Sequence, residues 1–386
     1  MCLLRGNSGE GTVTKCCRTI FVLKKPERCD KIVSNALKGD TYMEKKLVFG
    51  AIGLMFGNAH LEGALAYGAE VAAICDLDEE TLRKSGEKYN IPEEKWTTDY
   101  HDLLNNPEIN MVSIAIPDQL HRQVACEFLA AGKHVLCEKP LALTREDVEA
   151  MVQATEKSDA KFMVGQICRF TPAFAKAKEI IDSGEIGELY FVESEYAHDY
   201  MNIVKNADGS KHWRADPARH GLIGGGCHAV DLLRWLAGDP IEVFAYGTHK
   251  LLPTVPYDDA TCALMKFDDE LMGKVFVSTG CKRDYTMRTC IYGTKGTIIC
   301  DNTSPTMQLF VVDEKDEAPE KPQIIEIDVN NHNYVKEFQV FADTILADAE
   351  METSVYEGAK TVEVCLAIIE SAKTEEKVKP NYNFSK

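Results

Sequence analysis

The chain has 386 residues, which is enough for about two domains at roughly 150 residues each. Apolar residues make up 45% and permit a full core, while a formal charge of -18 argues against nucleic acid or an anionic membrane surface as a partner. No run of about 18 apolar residues is present, so we expect no membrane span.

The fourteen cysteines form no C-x-x-C pair, and most lie inside apolar runs, as Cys75, Cys137 and Cys365 do. This spacing and the chain length favour buried thiols over disulfides. We therefore expect reduced cysteines and a cytoplasmic protein. We expect no metal site, since His220 and His228 are eight apart and no third ligand stands at a recognisable spacing.

Residues 1–42 differ from the rest of the chain. They are basic, show no sustained periodicity and lack the uninterrupted apolar core of a signal peptide. Met43 directly precedes the first predicted strand, so we expect Met43 to be the natural start and residues 1–42 to be a poorly ordered extension. The alternative is a docking arm.

From residue 46 strands alternate with helices. Strands are predicted at KLVFGAIG, EVAAICD, INMVSIAIP, KHVLCEKP and KFMVGQ. Helices are predicted at 58–67 and at DEETLRKSGEKYN, DQLHRQVACEFLAAG and TREDVEAMVQATEKS, the last with Thr144 as its N-cap. This alternation predicts a doubly wound parallel sheet over residues 43–165.

In a doubly wound sheet, ligands bind at the carboxyl ends of the strands. The residues that end the five predicted strands are therefore candidate pocket residues: Gly53, Asp76, Pro117, Glu138 and Gln166.

After about residue 185 the pattern changes to short strands, predicted at ELYFVESEYAH, IEVFAYGTHK, DATCALMKF, LMGKVFVSTG, MRTCIYG and GTIICD. Two helices follow, NYVKEFQVFADTILAD and EGAKTVEVCLAIIESAKT, and 313–323 is predicted to be an exposed loop. We expect residues 166–386 to form an α+β domain with an open, mostly antiparallel sheet.

The first predicted βα turn carries Gly53 and Gly57, with Met55 where a full G-x-G-x-x-G fingerprint has its middle glycine. Asp76 ends the next strand, 23 positions beyond Gly53, where a carboxylate can accept hydrogen bonds from both ribose hydroxyls. No Arg or Lys follows Asp76 within five residues, which favours NAD over NADP. The alternative is an ordinary βα turn with an N-cap aspartate.

Two further stretches carry candidate chemistry. Lys139 follows Glu138 at a strand end, where it can bond to a substrate hydroxyl; the alternative is a surface ion pair. His228 follows three glycines, 224–226, in the first turn of a predicted helix, where the dipole favours a neutral imidazole that can accept a proton. Asp231 shares its helix face, and the alternative is a satisfied core histidine.

These residues resemble the glucose–fructose oxidoreductase / inositol dehydrogenase / rhizopine-catabolism family (Gfo/Idh/MocA). The resemblance covers about residues 46–380 and rests on the ordered motifs GLMFGNAH, VSIAIPDQLH, AGKHVLCEKPLAL, GQICRFTPAF, WRADP, GGGCHAVDLLRWLAG and YGTKGTI. It implies an N-terminal Rossmann domain, a second domain whose sheet builds a homodimer or homotetramer interface, and a sugar or polyol substrate.

Carried over by motif, the resemblance implies that Lys139 contacts the substrate hydroxyl and the nicotinamide ribose, and that His228 accepts the proton. It implies cofactor contacts at Phe56, Gly57, His121 and Arg169, beside the strand-end residues, and substrate contacts at Arg169, Trp213, Arg214 and Asp231.

The chain departs from the family pattern in two places. Its glycine turn is one residue shorter than G-x-G-x-x-G/A-x-x-H. Its G-G-G-C-H has Gly224 where the usual D-x-G-x-H has aspartate, and Asp231 is a possible substitute.

We expect an NAD-dependent dehydrogenase acting on a secondary alcohol of a sugar, glycoside or inositol. The alternatives are a glycosidase that oxidises C3 transiently with bound NAD, and a non-catalytic sugar or NAD sensor.

Overall fold

Six parallel strands form the first sheet, and the alternating pattern predicts five of them. The computed structural model describes residues 46–205, 212–329 and 332–384, so the predicted extension over 1–42 lies outside the described residues. The strands are β1 (Val48–Ile52), β2 (Glu70–Cys75), β3 (Trp96–Thr97), β4 (Met111–Ile114), β5 (His134–Glu138) and β6 (Phe162–Gly165). Their order is β3-β2-β1-β4-β5-β6, with β1 at the centre and every pairing parallel.

Helices connect these strands and bury one face each. They are α1 (Leu54–Tyr67), α2 (Glu79–Lys88), α3 (Tyr100–Asn105), α4 (His121–Ala130) and α5 (Arg145–Glu156). Thr144 caps α5 as predicted, because its side chain accepts a hydrogen bond from the backbone N–H of Asp147. The buried thiols of Cys75 and Cys137 in β2 and β5 confirm the prediction made for those cysteines.

Helix α1 begins earlier than predicted. The predicted range 58–67 is wrong at its start, because the chain turns within one residue at Gly53 and the helix begins at Leu54. Gly53 has a φ of 81°, and a Cβ there would lie 2.4 Å from the carbonyl oxygen of Ala115. The Asp76 carboxylate accepts a hydrogen bond from the backbone N–H of Leu54 at 2.7 Å, which satisfies one free donor of the first turn.

The second sheet has eight strands in the order β14-β13-β12-β11-β7-β10-β9-β8. They are β7 (Leu189–Ala197), β8 (Glu242–Thr248), β9 (Ala260–Lys266), β10 (Met272–Ser278), β11 (Arg288–Gly293), β12 (Gly296–Asp301), β13 (Thr306–Val311) and β14 (Gln323–Glu326). Among the described strands of this second sheet, only β7 and β10 pair in parallel, which confirms a mostly antiparallel sheet. The predicted loop at 313–323 connects β13 to β14, and its last residue opens β14.

Some elements were not predicted. Helix α6 (Pro172–Asp182) has proline in its first turn and buries Ala173, Phe174, Ala177 and Ile180, an apolar spacing that the sequence displays. The two residues of β3 are too few to show a period, and β14 has little buried surface because it is an edge strand.

Helix α7 (Cys227–Ala237) does not begin at a free N-terminus. A π-helical segment, Leu222–Gly226, runs directly into it, so His228 lies in the first turn of α7 as predicted, but helical backbone continues before that turn. The positive end of a macrodipole depends on backbone N–H groups that have no helical partner, and the preceding π-helical segment therefore removes the dipole as the cause of a neutral His228.

The last two helices return to the first sheet. Helix α8 (Tyr334–Ala347) packs against α1, and α9 (Val355–Thr374) packs against α5, β6 and β8. In the described part of the chain, no helix combines the length and apolar character needed to cross a membrane.

Candidate active site at the carboxyl edge of the first sheet

A cleft of about 420 Å³ lies at the carboxyl ends of the first-sheet strands and is closed on one side by Trp213–Ala215 of the second domain. It brings together eight of the predicted site residues: Gly53, Phe56, Asp76, Pro117, Glu138, Lys139, Trp213 and Arg214. Four of the five strand-end predictions therefore fall in one cleft, as expected for a doubly wound sheet.

Asp76 lines the cleft beside the glycine turn. Its carboxylate accepts hydrogen bonds from the backbone N–H groups of Leu54 at 2.7 Å and Asp78 at 2.9 Å. A carboxylate has about four lone-pair sites, so capacity is left for two ribose hydroxyls. The tight turn at Gly53, the start of α1 and this carboxylate fit the adenosine half of a dinucleotide.

Arg214 stands over the cleft between two aromatic rings. Its guanidinium lies 4.2 Å from the ring centroid of Trp213 and 5.5 Å from that of Phe56. Burial and the neighbouring Arg219 lower the pKa of Arg214. In the described residues it has no carboxylate partner, so its charge is available to an anionic group such as a pyrophosphate.

The turn after β5 places Lys139 at the wall of the cleft, and the Lys139–Pro140 peptide bond is cis. His121 was predicted as a cofactor contact, but it is buried behind this turn and lies outside the cleft lining. Its Nδ1 is 2.9 Å from the carbonyl oxygen of Pro140, and its Nε2 is 3.0 Å from that of Ile116. The His121 ring therefore connects the turn at Lys139 and Pro140, which we call the lysine turn, to the segment that follows β4. These contacts hold the lysine turn in position.

His228, predicted as the proton acceptor, also lies outside the cleft lining and is 7% exposed. It is buried beside Cys168, whose Sγ lies 3.4 Å from His228 Nδ1. Burial, and then the positive charge of Lys139, holds the pKa of His228 well below its ordinary value. The imidazole is therefore neutral across the physiological range, as predicted, but desolvation and Lys139 replace the helix dipole as the cause.

His198 and His332 surround His228 and were not predicted. The rings of His228 and His332 stack with centroids 6.3 Å apart, and Tyr285 contacts both His198 and His332. The pKa of His332 is lowered by burial and by Lys139; that of His198 by burial, Arg214 and Lys139. His198 directly follows β7, so the strand-end rule, extended to the second sheet, would have found it; no comparable signal marks His332.

Arg169 and Asp231 were predicted to contact cofactor and substrate, but both lie outside the cleft lining. They form a two-point ion pair at 2.9 and 2.7 Å and are 5% and 1% exposed. Asp231 also accepts a hydrogen bond from Thr361 at 2.9 Å, and Arg169 donates to Glu357 at 2.9 Å. This buried cluster ties the segment after β6 to α7 and α9.

The three glycines before α7 accommodate protein side chains. A Cβ on Gly224 would lie 2.1 Å from Nη1 of Arg219, and one on Gly225 would lie 2.4 Å from the Tyr200 hydroxyl. Arg219 donates to Asp118 at 2.8 Å and to the carbonyl of Gly224 at 2.9 Å. Gly224 and Gly225 therefore make room for neighbouring protein side chains, and the Arg219 guanidinium fills the space where an aspartate side chain at position 224 would begin.

Gly57 and Gln166 also lie outside the cleft lining. A Cβ on Gly57 would lie 3.4 Å from the Cβ of Ala115, so this glycine allows α1 to approach β4. Gln166 is 2% exposed, so it does not present its side chain to the cleft. Among the described residues, no group of three or more His, Cys, Asp or Glu side chains could hold a metal ion.

Two family models match the chain in succession. Residues 46–166 match "Oxidoreductase family, NAD-binding Rossmann fold", and residues 174–299 match "GFO/IDH/MocA C-terminal domain". The inositol 2-dehydrogenase of Salmonella typhimurium is 29% identical over 254 residues, 64% of this chain and 71% of that protein. The myo-inositol 2-dehydrogenase of Thermotoga maritima is 25% identical over 339 residues, 86% and 97% of the two chains. The structure of levoglucosan dehydrogenase in complex with NADH superposes with a TM-score of 0.78 at 24% identity, covering 87% of this chain and all of that one, which supports the fold.

Proposed function

Because this chain belongs to the GFO/IDH/MocA family of NAD-binding oxidoreductases acting on CH–OH groups, we propose that it oxidises a secondary alcohol of a cyclic polyol or sugar with NAD. One observation carries the proposal. Lys139 lines the cleft beside the glycine turn and Asp76, and its charge acts on a buried, neutral histidine, His228.

NAD supplies the nicotinamide carbon that accepts the hydride. Gly53 and Asp76, which line the cleft, would hold the adenosine half, and Arg214 would bind the pyrophosphate. The carboxylate of Asp76 would repel a 2′-phosphate, which is why we assign NAD rather than NADP.

Lys139 and His228 act on the substrate hydroxyl. The Lys139 ammonium donates a hydrogen bond to the oxygen and stabilises negative charge as it develops. His228 accepts the hydroxyl proton, while the hydrogen on the carbinol carbon leaves as hydride and the carbon becomes a carbonyl carbon. Nδ1 of His228 faces Cys168. We assign its proton to Nδ1, and in that tautomer Nε2 is the nitrogen that accepts the substrate proton.

The second sheet supports a homodimer or homotetramer. One face of β8, β9 and β10 carries exposed large apolar side chains, among them Tyr246, Leu264, Met272 and Phe276. Several large apolar side chains exposed on one face of a sheet are typical of protein–protein interfaces. Leu264→Glu should lower the mass measured by light scattering to that of a single chain, whereas Lys282→Glu, outside this face, should not.

The proposal is tested by screening inositols, sugars and glycosides for NADH formation at 340 nm. We expect at least one polyol to be oxidised with NAD and much more slowly with NADP. Aglycone release from a glycoside without net NADH would instead support the transient-oxidation glycosidase. NADH binding with no turnover of any compound would support a sensor.

A further inference from the structure

His60, Glu138 and Glu337 form a buried charged cluster that the proposed reaction does not use. His60 lies in α1, Glu138 ends β5 and Glu337 lies in α8, so the cluster joins three elements. Nε2 of His60 is 3.5 Å from Glu138 and 3.6 Å from Glu337. His60 and Glu337 have no exposed surface, and Glu138 is 9% exposed at the cleft wall.

These contacts are ionic rather than ordinary hydrogen bonds. Within the described residues, both ring nitrogens of His60 and both carboxylate oxygens of Glu337 lack a hydrogen-bond partner. A neutral imidazole would leave the buried Glu337 carboxylate without a compensating charge and Glu138 with Lys139 alone, at a large desolvation cost. A positively charged imidazole attracts both carboxylates, and this attraction is strong where water is excluded.

The cluster acts directly on the lysine turn. Glu138 Oε2 accepts a hydrogen bond from the backbone N–H of Lys139 at 3.1 Å, while its other oxygen faces His60. We propose that His60 is a positively charged positioning residue that holds Glu138 ionised beneath Lys139, and that loss of its charge at alkaline pH releases the lysine turn. The kinetic part of this inference rests on the proposed dehydrogenase reaction.

The surrounding charges set the direction of the pH effect. Burial lowers the pKa of His60, but Glu138 and Glu337 together outweigh it and raise that pKa to about 9. Although burial opposes it, His60 and Lys139 lower the pKa of Glu138 to about 2. Burial raises the pKa of Glu337, and Tyr334, whose ring lies 6.1 Å from that of His60, is the other titratable group of α8 at the cluster.

The folded pKa of His60 lies above its ordinary value of 6.5, so the interaction contributes fully to stability below about pH 6.5 and is lost as the pH rises through about 9.

The charge on His60 is measurable without substrate. In protein labelled with ¹⁵N-histidine, the signal absent from the H60Q variant belongs to His60. We expect both of its ring nitrogens to be protonated at pH 7.5 and the charge to be lost near pH 9. A neutral imidazole at pH 7.5 would overturn the proposal, whatever reaction the enzyme catalyses.

Kinetic measurements distinguish a positioning role of His60 from a merely structural one. We expect the wild-type kcat to fall above about pH 9. H60Q, which keeps a hydrogen-bonding side chain but no charge, should lower kcat at least tenfold at pH 7.5 and abolish that alkaline fall. E337Q, which removes one of the two carboxylates, should move the fall to lower pH. Variants that lower only the melting temperature and leave the pH profile unchanged would contradict the proposal.

Discussion

Two groups of charged residues in this protein stand in opposite situations. Asp76, Lys139 and Arg214 line the cleft, and none of their side chains forms an ion pair with another described residue. Arg169 and Asp231, which were predicted to belong to the same site, are buried and paired with each other. Charges left without protein partners at a cleft are available to a ligand, whereas paired and buried charges stabilise the fold.

This contrast separates residues that the family motifs place together. Arg169 and Asp231 stand in motifs beside Lys139 and His228, so a motif alone assigns all four to the site. The structure makes Arg169 and Asp231 a connection between elements, and substitutions should therefore separate the two groups by what they impair.

The largest effect is expected at Lys139. Lys139→Ala should lower kcat roughly 10²- to 10⁴-fold, the range typical of a lost acid–base group, because nothing then stabilises charge on the substrate oxygen. Affinity for NADH, followed by fluorescence titration, should change little. Normal turnover would defeat the assignment, and Lys282→Ala, an exposed lysine outside the cleft, serves as the control.

Asp231→Ala should impair folding rather than chemistry. It leaves the buried Arg169 guanidinium without its two-point partner, which typically costs about 3–5 kcal/mol. The free energy of unfolding in urea should fall by about that amount. Asp269→Ala, which removes an exposed pair with Lys266, should have no measurable effect. A stable Asp231→Ala protein with impaired substrate binding would instead show that Asp231 contacts the substrate.

Asp76→Ser should weaken NAD binding roughly tenfold or more, since hydrogen bonds to a charged group contribute about 1.5–3 kcal/mol. The preference for NAD over NADP should narrow at the same time, because the repulsion of a 2′-phosphate is gone. Asp99→Ala removes the N-cap of α3 outside the cleft and should leave that preference intact. An unchanged ratio of kcat/KM for the two cofactors in Asp76→Ser would contradict the placement of the ribose.

The smallest effect is expected at Arg214. Arg214→Gln should weaken NADH binding about fivefold at low salt and make the dissociation constant less sensitive to ionic strength, because a charge contact to phosphate is screened by salt. Arg122→Gln alters an exposed arginine that pairs with Asp147, so it should leave both quantities as they are. Equal salt dependence in wild type and Arg214→Gln would show that Arg214 does not bind the phosphates.

The sequence predicts the cleft residues of the first domain better than the site residues that the second domain contributes. The spacing of apolar residues and the ends of strands are local signals, so Gly53, Asp76 and Glu138 could be assigned to the cleft from the sequence pattern alone. The partners of Arg169 and the neighbours of His228 come from segments far apart in the chain: Asp231 is 62 residues from Arg169, and Cys168 is 60 from His228. The local spacing of apolar residues carries no information about contacts between distant segments. For the same reason, the sequence did not reveal that Glu138 and Glu337 face His60.

The central claim is that hydride passes directly from a carbinol carbon of a polyol to the nicotinamide held in this cleft. It is tested most directly with the best polyol from the screen, deuterated at the carbon that is oxidised. The account predicts that the deuterium appears at C4 of the reduced nicotinamide, detected by NMR, and that Lys139→Ala forms this product only at a greatly reduced rate. Reduced cofactor that carries no deuterium would contradict it.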